Sequence, residues 1–558
     1  METKHQITLE ISGMICNACA QRVQQALQSV PGVEQVRLSS WRSGQASLVV
    51  QASVTDDQLL EAVLQASRGT PHAYHAHVRE RSPMASQHVS AGSAETTPEL
   101  LIIGGGSAAF AAAIRARELG ATVLLVTSGT LGGTCVNVGC VPSKTLIRAA
   151  QRVHAARRGA THSTSALAPL DWQALLQHKE ALIAALRTSK YEGVAQTYGI
   201  PILHGTASFA GPQTVVVDGT VYRPRKILIA TGSAPWAPPI PGLAQSGFLD
   251  STAALSLPSL PASLIVVGAG AIGLELAQLF ARLGVAVTVL EVLPRIAPLE
   301  EPELSAMLTE ALRQEGLAIY TSVAIRRVER KEGAYRVEVE REGRTEVLTA
   351  EQLLLATGRR PQTAHLKLEA AGVETGPKGE ILVNELLQTT NPKIYAAGDV
   401  LGEPMFVYVA AYAGALAAEN ALTGTNKRYN LSALPRVTFT DPQIASVGLT
   451  EAQARAHGHE ANTALLHAAD IPAALVADAP YGLIKLVADS RTGKLLGAHV
   501  LAPEAGEVIQ AATIAIRLGL TYKDLADTFH PYLTWAEGLK LAAIAFEKDI
   551  RQLSCCAA

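Results

Sequence analysis

The chain has 558 residues, 48% of them hydrophobic and only 4% aromatic, with 45 glycines and 28 prolines. That length allows about three or four domains around a large core, and the turn-rich, Ala/Val/Leu-rich composition suits an α/β protein. A formal net charge of -2 supplies no broad basic field, which argues against nucleic acid as a partner. The opening METKHQITLE lacks the apolar core of a secretory signal. The longest apolar run, 406–418, is too short to span a bilayer and reads as a buried helix. A cytoplasmic setting is expected, where paired cysteines are more often catalytic or metal-binding than structural.

Residues 1–79 read as a small separate domain. ITLEIS alternates as a strand, 20–29 as a helix, VEQVRLS and GQASLVVQ as strands, TDDQLLEAVLQAS as a second helix and HAYHAHV as a last strand. That β-α-β-β-α-β order is the split-βαβ plan. Cys16 and Cys19 lie in GMICNACA at its first strand-to-helix turn, where a helix N-terminus favours thiolate. Zinc normally takes four ligands; two soft sulfurs suit a low-coordinate ion such as Cu(I) or, by extension, Hg(II). A thioredoxin-type redox role is the rival, but that motif belongs to a different strand order. Residues 80–97 turn to Ser, Ala, Thr and Gly without periodicity, as a flexible linker does. His72, His75, His77 and His88 read as a solvated strand end and linker rather than a metal site.

The body opens with ELLIIGGGSAAFAAAIRARELGATVLLV, a strand, a glycine turn and a helix, in which Gly104, Gly106 and Ala109 hold fingerprint positions. Such glycines let the backbone approach a pyrophosphate that the helix N-terminus stabilises. The acid expected at the end of the second strand is replaced by Thr127. SLIVVGAGAIGLELAQLFARLGVAVTVLE repeats the plan with Gly268, Gly270 and Gly273, and there the second strand ends in Glu291. A carboxylate at that position accepts from a ribose 2′-hydroxyl and repels a 2′-phosphate; Arg295 nearby softens that preference. Two units imply two dinucleotides. ILIATGSAP and LLLATGRRP each end an apolar strand in A-T-G, placing Thr231, Gly232 and Gly358 at turns, and NPKIYAAGDV follows with Asp399. Expected boundaries are 98–260 for the first nucleotide domain (completed by 361–428), 261–360 for the second, and 429–558 for an assembly domain.

Cys135 and Cys140 sit in GGTCVNVGCVPSK, close behind the first nucleotide unit. This block, with the two A-T-G strands and IYAAGD, resembles the pyridine nucleotide-disulfide oxidoreductases over about residues 98–545. The resemblance implies two Rossmann-like domains, for FAD and NAD(P), plus an α+β dimerisation domain, preceded here by the ferredoxin-like βαββαβ unit. It implies FAD and NADPH as cofactors, with NADH possible on account of Glu291. It places Gly132, Gly133 and Thr134 beside the flavin, and makes Cys140 the thiol that takes electrons from it while Cys135 faces substrate. It gives Lys144 and Glu275 as an ion pair beside flavin and nicotinamide, and Asp399 as the ribityl contact.

The N-terminal block resembles the heavy-metal-associated domain, with Ile15 where Thr is usual. The tail LSCCAA, with adjacent Cys555 and Cys556, is two thiols that taken alone are as readily inert as functional. Together with GMICNACA it resembles the mercury-reducing branch of the oxidoreductase family. In that branch the tail reaches the partner subunit's site and hands over Hg(II), and two tyrosines, here Tyr191 in SKYEG and Tyr532 in HPYLTW, flank the metal. His530-Pro531 matches the His-Pro of glutathione and lipoamide reductases, where the His deprotonates a thiol; a structural role stays open.

The resemblance implies reduction of thiol-bound Hg(II) to Hg(0) in a homodimer with shared active sites, the metal passing between Cys16/Cys19, Cys555/Cys556 and Cys135/Cys140. Two alternatives stand beside it. One is a dihydrolipoamide- or glutathione-type disulfide reductase with an added metal domain, favoured by His530-Pro531. The other is a metal-buffering metallochaperone, which GMICNACA alone would support.

Overall fold

The computed structural model describes residues 4–13, 17–38, 45–67, 73–84, 97–159, 170–479 and 481–553. The chain divides into two compact units at 96/97.

In the first unit, strands β1 (Lys4–Ser12), β2 (Val33–Leu38), β3 (Gln45–Gln51) and β4 (His75–Met84) alternate with helices α1 (Asn17–Gln28) and α2 (Asp56–Ala66) in the expected order. They form one antiparallel sheet ordered β2-β3-β1-β4. Period-2 alternation sends Ile7, Leu9, Ile11, Leu48 and Val50 inward onto Val23, Leu27, Leu59 and Val63 of the helices, all buried. Thr55 starts α2 as a capping box with Gln58. β4 runs beyond Arg79 into the stretch expected as linker, because its backbone pairs with β1 as far as Lys4↔Met84. Composition hid this strand, since backbone pairing rather than apolar alternation carries it. Cys16, His72 and His88 lie outside the described residues. His75 and His77 are exposed, and His77 meets Glu10 across the strands at 3.3 Å.

The second unit holds three sheets that position the site. β5 (Leu100–Ile103) runs parallel to β6 (Val123–Thr127) on one side and to 226–229 on the other, with 394–396 and 202–204 outermost. β5 is buried at every position, as a parallel strand covered on both faces must be. α3 (Ser107–Glu118) packs against the helix Val407–Thr423 so closely that a Cβ on Gly414 would lie 2.1 Å from the Ala108 carbonyl oxygen. The apolar run 406–418 thus lies in a helix, with Ala410, Ala413 and Ala417 buried and Val407, Tyr408 and Tyr412 exposed. A second parallel sheet is ordered 318–320, 286–290, 263–267, 352–355. The third is a five-stranded antiparallel sheet of 436–438, 443–448, 495–502, 483–489 and 461–467, with helix Ala505–Leu518 on its buried face. Among the described residues no helix is long and apolar enough to cross a membrane.

Candidate functional site

Each nucleotide turn is shaped by glycines, and at Gly104, Gly133, Gly268 and Gly273 a side chain would collide with neighbouring backbone. Gly104 has φ +139°, and a Cβ there would lie 2.1 Å from the Ala230 carbonyl oxygen. Gly106 is the N-cap of α3, and Gly133 (φ +59°) packs back on it, so that a Cβ on Gly133 would stand 2.8 Å from Gly106 Cα. Ala109 is fully buried against the strand. Thr127 is not left facing a ribose: its hydroxyl lies 3.3 Å from the Gly129 amide, which donates to it and tightens the turn. Gly268 (φ +101°) and Gly270, N-cap of the helix Ala271–Arg282, repeat the arrangement; a Cβ on Gly273 would lie 1.9 Å from the Gly268 carbonyl oxygen. Both cradles have the narrow backbone approach and open helix N-terminus that a pyrophosphate needs. Each cradle therefore fits a dinucleotide.

The redox segment grows out of the first turn. α4 (Gly133–Asn137) carries Cys135 and α5 (Cys140–Gly159) begins at Cys140. The Asn137 amide donates to the carbonyls of Leu131 at 2.8 Å and Gly133 at 2.9 Å, and Arg187 donates to its oxygen at 3.3 Å. That stitching holds both cysteines on one side of the turn. Cys135 is half-buried and Cys140 exposed. Cys135 donates a hydrogen bond to the Cys140 sulfur, which pushes the Cys135 thiol far up and brings Cys140 down to about 7. The Lys144 ammonium lowers Cys140 further, while desolvation and the Glu275 carboxylate work against it. Position at a helix N-terminus adds to the same preference for thiolate. One sulfur is therefore a ready nucleophile near neutral pH and the other keeps its proton.

Lys144 and Glu275 meet at 2.6 Å, with Glu275 buried. The other Glu275 oxygen accepts from the Phe439 amide at 2.9 Å, and the Phe439 ring lies 4.7 Å beneath the Lys144 ammonium. Three subdomains converge on this pair. Asp399 accepts from Ser233 Oγ at 2.8 Å, and Arg359 donates to the same Ser233 through its hydroxyl and carbonyl, each at 2.8 Å. Burial pulls the Arg359 guanidinium below its ordinary value, against the opposing charges of Asp399, Asp250 and Cys140. The A-T-G turns are tied together there: Thr231 donates to the Gln362 carbonyl at 2.7 Å, and Gly232 (φ +73°) and Gly358 (φ +108°) make the bends.

Tyr191 lies in a π-helical turn, Thr188–Glu192, between two α-helices, a distortion that often marks functional sites. Its ring is edge-on to Phe110 at 4.8 Å. Burial raises its hydroxyl pKa, opposed by a hydrogen bond with Ser107, and the Cys135 and Cys140 charges also reach it. Thr134 is exposed on α4, and Gly132 bends at φ +97° with Tyr191 beside it. Cys19 is buried in the first turn of α1. Tyr532 and His530 lie elsewhere, on an exposed stretch with Phe529 98% and Tyr532 50% accessible, and His530 Nδ1 is 3.0 Å from the Thr528 carbonyl. Cys555 and Cys556 lie outside the described residues. Sequence reasoning missed Ser233, Arg359, Phe439 and Asn137. Ser233, Arg359 and Asn137 stand beside motif residues, but Ser233 meets Asp399 across 166 residues and Arg359 across 126, and Phe439 meets Glu275 across 164.

Two dinucleotide cradles converging on one polarised dithiol define a dithiol oxidoreductase. Residues 98–414 match the pyridine nucleotide-disulphide oxidoreductase family, 434–543 its dimerisation domain and 8–68 the heavy-metal-associated domain. A mercuric reductase of Staphylococcus aureus is 43% identical over the full length of both chains. One of Streptomyces lividans is 51% identical, covering 83% of this chain and 99% of that one. Among solved structures, the HOCl-induced flavoprotein disulfide reductase RclA of Escherichia coli superposes with a TM-score of 0.71 at 31% identity, over 80% of this chain and 99% of that one. The chain belongs to the pyridine nucleotide-disulphide oxidoreductases and, within them, to the mercuric reductases.

Proposed function

We propose that this protein reduces thiol-bound Hg(II) to Hg(0) at the expense of NAD(P)H and so detoxifies mercury. The overall change is NAD(P)H + Hg(II) → NAD(P)⁺ + Hg(0) + H⁺. The observation that carries the reading is the Cys135–Cys140 pair, one sulfur near pKa 7 and the other protonated, in a chain matched end to end by a mercuric reductase.

FAD, when bound, supplies the two-electron relay between nicotinamide and the sulfur face. Gly104, Gly106, Ala109, Gly132, Gly133, Thr134, Thr231, Gly232, Gly358 and Asp399 would hold it, and Gly268, Gly270, Gly273 and Glu291 would hold the nicotinamide dinucleotide. The Lys144–Glu275 pair would stand between the flavin and the nicotinamide, its ammonium and carboxylate fixed by their own 2.6 Å contact. The Cys135–Cys140 pair binds the metal by associative exchange: the incoming sulfur bonds before the outgoing sulfur leaves and takes up a proton, so no bare ion forms. Two sulfurs per station serve this at Cys16/Cys19, Cys135/Cys140 and Cys555/Cys556. A final site limited to two thiolates donates less charge to the metal and leaves it easier to reduce. Tyr191 closes the side of that site, and Tyr532 joins it from the second subunit of a homodimer. His530, with Nδ1 engaged by a carbonyl, presents Nε2 to take a thiol proton.

The test is anaerobic. Purified flavoprotein is given NADH or NADPH and Hg(II) with excess thiol, and mercury vapour is measured beside cofactor oxidation. One Hg(0) per NAD(P)H is expected, with little turnover of glutathione disulfide or lipoamide. Cofactor oxidation no faster with Hg(II) than without it would overturn the reading.

A further inference from the structure

We infer that the second dinucleotide cradle selects NADH over NADPH, and that Glu291 is the residue that discriminates. The inference rests on the reading that nicotinamide dinucleotide binds at the Gly268 turn. Glu291 ends the strand Ala286–Leu290 and is only 6% exposed. Its Oε2 accepts from the Ala269 amide at 2.7 Å and its Oε1 from the Leu293 amide at 2.9 Å. Ala269 is the residue between the first two fingerprint glycines, so the carboxylate is clamped where an adenosine ribose must lie. Each oxygen keeps a second lone pair, enough to accept from a 2′-hydroxyl.

A 2′-phosphate has the opposite chemistry. It brings negative charge and offers no proton at neutral pH, and it meets a desolvated carboxylate that cannot rotate away. Rotation would strand two backbone N–H groups, which is costly in a buried turn. Nor is the cation required for a phosphate turned toward it. Arg295 Nη2 donates to the carbonyls of Pro298 at 2.9 Å and Glu300 at 3.3 Å, and its Nε is buried without a partner, so its fork is folded onto its own turn. The residues directly after Glu291 are Val292 and Leu293, 63% and 45% exposed; they offer an apolar face to adenine and no charge to a phosphate.

The fold itself does not demand this carboxylate. In the first cradle the same position is Thr127, which completes its turn through the Gly129 amide. Glu291 accepts from the corresponding amide, that of Leu293, as Thr127 does from Gly129, and it adds a charge that the first turn does without.

Binding to the holoenzyme separates the inference from catalysis. Calorimetric titration with 5′-AMP and with 2′,5′-ADP, neither of which reacts, should show the wild type preferring 5′-AMP by at least about ten-fold. Glu291→Gln keeps one acceptor for the turn while removing the charge, and should bring the two ligands within about three-fold of each other. Glu291→Thr, copying the first cradle, should do the same if the Gln variant folds poorly. Equal or tighter wild-type binding of 2′,5′-ADP would overturn the inference. Failure of Hg(II) to stimulate oxidation of either NADH or NADPH, with the 5′-AMP preference intact, would sink the proposed function and leave the inference standing.

Discussion

Lys144 and Glu275 form a 2.6 Å ion pair in which both partners act on the Cys140 thiol with opposite sign: the ammonium lowers its pKa and the carboxylate raises it. Replacing each in turn therefore shifts the thiol in opposite directions. Lys144→Met should move Cys140 up from about 7, and Glu275→Gln should move it down. Both follow from the charge acting across a partly desolvated gap. The rate of iodoacetamide alkylation of the reduced protein as a function of pH reads the thiolate directly. Shifts in the same direction in both variants would show that the pair acts through packing alone.

The glycine turns and the strand order were legible because their causes are local. Gly104 and Gly268 sit within a few residues of the strand and helix they join, and the period-2 pattern of ITLEIS fixes which side of β1 is buried. The polar joints were not legible. Ser233 and Asp399 are 166 residues apart and Glu275 and Phe439 are 164 apart, and nothing in either segment announces its partner. The end of β4 was missed for a related reason: residues 80–84 have a linker's composition, and only pairing with β1 makes them a strand. The cysteine pair was found by motif, but the inequality of its two thiols needs the hydrogen bond and Lys144, which spacing does not reveal.

The Ser233 hydroxyl links a buried guanidinium to the Asp399 carboxylate. Ser233→Ala breaks that bridge without adding volume. Hydrogen bonds to charged groups are worth about 1.5–3 kcal/mol, so flavin retention should weaken by roughly ten-fold or more. Flavin fluorescence released on dilution into apo-buffer measures it. Unchanged retention would mean that Arg359 holds Asp399 through its charge alone.

Gly273→Ala sets two effects against each other. Alanine in a helix is better than glycine by about 1 kcal/mol. Yet the new Cβ would lie 1.9 Å from the Gly268 carbonyl oxygen, a backbone atom in a fixed turn, and relief of such overpacking costs about 3 kcal/mol. The clash wins. The variant should have a lower unfolding midpoint in urea and a weakened affinity for nicotinamide dinucleotide, with the flavin still bound in the other cradle.

Lys485 is buried with its ammonium 3.1 Å from Glu301, 2.8 Å from Glu303 and 2.9 Å from Glu451. Burial pulls its pKa down, but the hydrogen bonds that the ammonium donates to the three carboxylates outweigh that and hold it above an ordinary lysine. A raised basic group stabilises below its unfolded value, so the contribution is intact below about pH 10 and fades only above it. Lys485→Met leaves the carboxylates facing one another and should destabilise by about 3–5 kcal/mol. Denaturant unfolding at pH 7 checks the size. A loss under about 1 kcal/mol would show that water reaches the cluster and screens it.

The tail cysteines are tested by separating electron flow from metal delivery. Electron flow needs the cradles, Lys144, Glu275 and the Cys135–Cys140 pair, all placed by elements that end before Cys555. Delivery needs a thiolate that can enter a bis-thiolate mercury complex, bond to the metal and release one of the original sulfurs. A monothiol complex exchanges readily with any exposed thiolate, Cys140 included. A chelating dithiol complex does not, because the released arm stays tethered and recloses; only a second sulfur arriving beside the first displaces both. Adjacent Cys555 and Cys556 meet that requirement. The double variant Cys555→Ala, Cys556→Ala should therefore oxidise NAD(P)H normally with a small disulfide or quinone. It should lose most Hg(II) turnover when the metal is presented as a dithiol complex, and lose less when it comes from a monothiol. Anaerobic turnover with the two complexes at equal Hg(II) decides it, and undiminished activity with the dithiol complex would assign delivery to Cys135 and Cys140 alone.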